Sequence, residues 1–140
     1  MQTFVPYPDW WACAKVLDNK RLGKQRVETL QILNALAGRS QGWVNHPATR
    51  MWRGHERTLA VYGSVMCVEW MERGFSDTCL QKIGELALQF PYRGVGDVPS
   101  WWGRADVHDS HKSRLLQKDP VWYGQFKWDV PTNLEYVWPV

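Results

Sequence analysis

The sequence predicts an all-α fold: a compact single domain over residues 1–140 with three main helices and a short one, an extended N-terminal arm and an aromatic C-terminal tail. Three observations carry this. Apolar residues recur at helical spacing through long segments. Helix stop signals, Gly38, Gly74 and Pro120, stand at the ends of those segments. No repeat, low-complexity tract or linker divides the chain, and at this length one domain buries roughly two-thirds of its unfolded surface.

Residues 1–9, MQTFVPYPD, cannot continue a helix, because Pro6 and Pro8 hold their predecessors extended. They form an arm across the body. Asp9 reads as the N-cap of a helix over residues 10–37, with Gly23 as its weak point and Gly38 as its C-cap. After a loop over residues 38–47, a second helix begins near Pro47 and ends before Gly74, with Met51, Leu59, Tyr62, Val65, Met66 and Trp70 as its apolar contacts. A shorter helix spans residues 77–89, turning Leu80, Ile83, Ala87 and Phe90 inward. Residues 91–103, PYRGVGDVPSWWG, form a loop whose GVG lacks the third glycine and the strand–helix setting of a dinucleotide site. A last helix over residues 105–117 stops before Pro120, and the aromatic, proline-broken tail wraps over the bundle.

Composition excludes several classes. None of the three Cys forms a CxxC pair, which argues against zinc ribbons and thioredoxin-like sites. No apolar run approaches the ~18 residues of a membrane span, and MQTFVPYPDWW lacks the charged start and apolar run of a signal peptide. The expectation is a cytoplasmic monomer with reduced thiols and no membrane partner. The net charge of +3 argues only weakly for a nucleic-acid partner. Local clustering says more. Of the ten Trp, most should pack the core, leaving a few to stack on or wedge between bases.

The chemistry centres on LDNKRLGKQRVETLQILNAL, residues 17–36. Lys20, Arg21, Lys24 and Arg26 fall within seven residues with no acid among them, and Glu28 follows. On a helix, Arg21, Lys24, Gln25, Glu28 and Gln31 share a polar stripe, with Leu22, Val27, Leu30 and Leu33 opposite, facing the core. Glu28 is four residues after Lys24, so a plain ion pair worth about 0.2–0.5 kcal/mol is one reading. The other is a general base or ion stabiliser among cations that grip an anionic polymer. His46 and Arg50 flank a loop-to-helix junction whose free N–H groups attract anions, or His46 simply caps the helix. His111, Arg114 and Lys112 form either a phosphate-contacting edge or an ordinary solvated face. His108 and His111 sit three apart, but no HExxH or second Cys/His pair completes a metal site. No metal and no cofactor are expected.

Together, LDNKRLGKQRVETLQIL, GWVNHPATRMW, VEWMERGF and SHKSRLLQKDPVWYGQF resemble, in that order, the pyrimidine-dimer DNA glycosylase family of the phage endonuclease V type. The opening MQTF matches one bacterial and phage branch of it. The resemblance implies a compact all-α fold that kinks duplex DNA, flips a nucleotide out and excises a damaged or modified pyrimidine. In the family an N-terminal α-amine attacks C1′ to form a Schiff base, β-elimination nicks the strand, and a first-helix Glu stabilises the sugar cation. By motif position that Glu is Glu28. Gln at position 2 is bulky enough to leave Met1 in place. The attacking group is then the Met1 amine, a lysine such as Lys20 or Lys24, or water without a lyase step. DNA contacts are expected from Gln2, Thr3, Arg21, Lys24, Arg26, His46, Arg50, His111 and Arg114. The alternative is a non-catalytic module of the same fold that recognises distorted or modified DNA.

Overall fold

A computed structural model describes all residues, 1–140. Seven helices follow in order: α1 (Trp10–Val16), α2 (Asn19–Leu36), α3 (Pro47–Trp52), α4 (Glu56–Glu72), α5 (Cys79–Ala87), α6 (Ala105–Lys118) and α7 (Pro120–Gly124). There is no strand. The long elements α2, α4 and α6 with the shorter α5 are the three-plus-one layout read from the sequence. α2 packs against α4 and α5, and α1 packs against α4.

Two expected helices are each broken in two. The first breaks at Leu17 and Asp18, both extended, and not at Gly23. Ending a helix strands its last carbonyls, and here distant side chains satisfy them. Arg73 donates to the carbonyls of Ala14 (3.1 Å), Lys15 (3.3 Å) and Leu17 (2.7 Å), and the Trp122 indole donates to that of Val16 (2.7 Å). The Asp18 N–H donates to the Tyr123 hydroxyl at 3.1 Å, and that hydroxyl donates back to the Asp18 carboxylate. Gly23 stays helical and has a separate task. A Cβ there would lie 2.9 Å from the Trp70 ring, so its hydrogen lets that ring pack against α2. The second helix breaks at Arg53–His55 around Gly54, whose φ of 89° belongs to glycine.

Other boundaries follow the local signals. The Asp9 carboxylate accepts from Ala12 N at 2.9 Å as the α1 cap, and Pro47 opens α3. Gly38 and Gly74, at φ 76° and 95°, lie just past the ends of α2 and α4. α2 and α4 approach closely at Gly63, where a Cβ would stand 2.3 Å from Thr29 Cγ2.

The N-terminal arm enters the core, where Phe4 and Val5 join the main apolar cluster. Having no helix or sheet, it must find partners elsewhere for its buried backbone. Side chains of the helices provide them, and this brings polar residues inside.

Candidate active site

The arm is held residue by residue. Gln2 N donates to Glu28 Oε2 (3.1 Å), Phe4 N to Gln25 Oε1 (2.9 Å) and Val5 N to His111 Nδ1 (2.8 Å). The Tyr62 hydroxyl donates to the Phe4 carbonyl (2.9 Å) and lies 2.6 Å from Gln25 Oε1. His108 Nδ1 lies 2.7 Å from the Val5 carbonyl, and Trp52 Nε1 donates to Thr3 Oγ1 at 2.9 Å. The arm's direction, and so the position of the chain's first residue, is fixed by these contacts.

This corrects the predicted polar stripe on α2. Gln25 and Glu28 face inward, 1% and 6% exposed, whereas Val27, expected in the core, is 43% exposed. Apolar periodicity misassigned them because the surface they meet is backbone, which asks for acceptors.

Glu28 forms part of the wall of a cavity of about 290 Å³ that also takes in Met1, Gln2, Lys20, Lys24, Lys118 and Tyr136. Glu28 makes no tight ion pair: Lys24 Nζ stands 3.9 Å from Oε1 and is itself largely exposed. Burial raises its carboxyl above the ordinary range. The Gln2 amide, the positive amino terminus, Lys24 and the Gln25 amide pull the other way without cancelling that. The α-amine is three bonds from the amide that touches Glu28, so it lies within about 7 Å of the carboxylate. His46 is pushed below its usual value by burial and by the same amino terminus. The amino terminus is therefore near enough to both Glu28 and His46 to act on their charge.

The rim is cationic. Lys118 is depressed by burial and by Arg21, Arg114, Lys24 and Lys20, whose like charges converge on it. Arg114 stacks over the Tyr136 ring at 4.6 Å, and Arg21 is held by Asp18 at 3.2 Å. Such a concentration of positive charge around a recess draws in phosphates.

The structure brings together Met1, Gln2, Arg21, Lys24 and Glu28 around the cavity, with His46 and Arg114 close by. It separates others. Arg26 is ion-paired to buried Asp77 and lies over the Trp70 ring at 4.4 Å, outside the cavity. Thr3 is fully buried. His111 is fully buried too, its ring spent on Val5 N and its pKa lowered to about 3 by burial and by His108, so it forms no phosphate edge. Lys112 stacks on Tyr7 at 5.1 Å. Arg50 is exposed, one turn after His46, which caps α3 by accepting from Ala48 N at 3.0 Å. Lys118 and Tyr136 went unread. They reach the cavity from α6 and the tail, and no local pattern in the sequence marks them.

Comparison with protein families matches residues 1–82 to the one described as pyrimidine dimer DNA glycosylase. No curated protein and no solved structure gives a match. The matched segment holds Met1, Gln2, Lys20, Arg21, Lys24 and Glu28, while Lys118 and Tyr136 lie beyond it.

Proposed function

The chain belongs to the pyrimidine dimer DNA glycosylase family, and on that premise we propose that it excises a damaged or modified pyrimidine from duplex DNA, with Met1 as nucleophile and Glu28 as its partner. The observation that carries this reading is the Gln2 amide on the Glu28 carboxylate, which ties the amino terminus to a weakly paired acid inside a cation-lined cavity.

The chemistry follows from those groups. A base inside a duplex must leave the stack before its C1′ can be reached, and the rim cations hold the flanking phosphates while it does. The α-amine attacks in its neutral form, in which the nitrogen carries a free lone pair. Its nitrogen bonds to C1′ as the glycosidic bond breaks, and the base leaves with the electron pair and takes up a proton. The ionised Glu28 stabilises the positive charge that develops on the sugar. Ring opening then protonates O4′ and gives an imine between Met1 and C1′. Loss of a C2′ proton to Glu28 expels the 3′ phosphate and nicks the strand.

The test is incubation with UV-irradiated and modified-base duplexes, scoring base release and nicking separately, with dimers photoreversed before scoring because a cleaved dimer base stays joined to its neighbour. Wild type should release base from at least one of them, and Glu28→Gln should bind the same duplex without processing it. Glu28→Gln that works as well as wild type on every substrate removes the catalytic assignment. Salt-sensitive binding with no base released from any substrate would leave a DNA-binding module of the same fold.

A further inference from the structure

The cavity at Glu28 has a neighbour on the same helix. Gln31 is three residues after Glu28, one turn on and about 4.5 Å along the axis. Gln31 and Asn34 form one side of a second recess of about 460 Å³, and Arg39 and Trp43 form the other. Trp43 is 39% exposed, yet it is not loose. Its carbonyl accepts from His46 N at 3.2 Å, and the next carbonyl, that of Val44, accepts from Arg53 at 3.0 Å. The His46 ring meets the Trp43 ring edge-on at 5.4 Å and 75°. Behind His46 the aromatic row continues through Trp138 (5.9 Å) to Tyr136 (5.2 Å), the wall of the first cavity.

Other tryptophans are accounted for. Trp101 is buried, and Trp10 packs on Trp102 at 3.8 Å. Trp70 lies on Phe75, and Trp122 is tied to the Val16 carbonyl. Trp11 is more exposed than Trp43, but it lines a separate apolar recess with Val61, Val65 and Ala87. Trp43 combines an exposed ring, set edge-on to His46, with a recess whose other wall includes Gln31, one helical turn from Glu28.

We infer that Trp43 and Arg39 form a subsite for the nucleotide next to the one handled at Glu28, Trp43 stacking on its base and Arg39 holding its phosphate. Successive nucleotides of one strand are about 3.4 Å apart along a duplex, so a strand with one nucleotide at Glu28 offers the next to this recess. Stacking is blind to base identity. The subsite therefore replaces the stacking lost when a nucleotide is drawn out and sets no sequence preference. The proposal rests on the function given above.

The probe is a duplex with a tetrahydrofuran abasic analogue, which cannot react, flanked on either side in turn by 2-aminopurine. Wild type should bind and quench 2-aminopurine on one side. Trp43→Ala should bind roughly 5- to 100-fold more weakly and lose the quench. Trp43→Phe should stay within a few-fold of wild type, which separates loss of the ring from damage to the loop. Trp11→Ala should match wild type. All four comparisons should hold in a Glu28→Gln background, because no chemistry occurs on this duplex. Trp43→Ala that binds and quenches like wild type overturns the subsite, whatever Glu28→Gln does on a reactive lesion. Failure of wild type to bind the abasic duplex at low salt overturns the subsite and the glycosylase reading together.

Discussion

Two carboxylates beside α2 have opposite fates. Asp77 is ion-paired to Arg26, accepts from Leu80 N at 2.8 Å, and has a side chain only 2% exposed. Although burial alone would raise it, these hydrogen bonds hold its carboxyl below the ordinary range. Glu28 is about as deeply placed but has the Gln2 amide at 3.1 Å, a long contact from the Gln25 amide at 3.4 Å and an exposed lysine at 3.9 Å, and its carboxyl is raised. A carboxylate whose lone pairs are all taken is a fastener. One left short of partners, facing a cavity and ringed by cations, is the one proposed above to act on substrate.

The contrast can be broken most severely on activity. Glu28→Gln should lower turnover by about 10²–10⁴-fold, the range for losing a positioned acid–base or charge-stabilising group, while Asp77→Asn should keep wild-type turnover per folded molecule. Single-turnover base release, corrected for folded fraction, checks both.

Stability should show the reverse. Asp77→Asn leaves Arg26 buried without its counter-charge and should cost about 3–5 kcal/mol, measurable by urea unfolding. Glu28→Gln should cost nothing at neutral pH and gain slightly, because it removes a buried charge.

pH separates the two by sign. A carboxyl raised in the fold contributes stability that is full below its unfolded value of 4.5 and lost as pH rises through the folded one. The margin of Glu28→Gln over wild type should therefore shrink on acidification to about pH 4.5 and below. Asp77 is lowered, so its contribution is full above its unfolded value of 3.8 and is lost as pH falls through the folded value. His111 adds to the acid loss, since its folded pKa of about 3 lies below the unfolded 6.5, and stability should fall as pH drops between them. Unfolding curves of wild type, Glu28→Gln and Asp77→Asn from pH 3 to 7 test these signs.

Packing gives a smaller effect. Gly63→Ala forces a Cβ onto Thr29 and should cost about 1–3 kcal/mol, with part of it recovered in the Thr29→Ala background. A double-mutant cycle reads that coupling. Smallest is Lys24→Ala. As a long pair to an exposed lysine it should change stability by less than about 0.5 kcal/mol, yet reduce the salt dependence of DNA binding by about one charge.

Much of this was legible in the chain. Asp9, Pro47, Gly38 and Gly74 act through their own backbone, so the helix ends they mark needed no tertiary information. The cation run before Glu28 marks the helix and the acid that line the cavity. The break at Leu17–Asp18 was illegible because its cause lies in Arg73, Trp122 and Tyr123, which are distant in sequence. Burial of Gln25, Glu28 and His111 was illegible for a related reason: they accept from an arm with no secondary structure, and hydropathy patterns cannot encode a demand for acceptors. Lys118 and Tyr136 joined the site through topology alone.

If the first residue and Glu28 serve one reaction, borohydride trapping on a duplex with an abasic site, followed by intact-mass measurement and peptide mapping, should give one adduct, on the α-amine of Met1. An adduct on Lys20 or Lys24, or none while bases are still released, would contradict it.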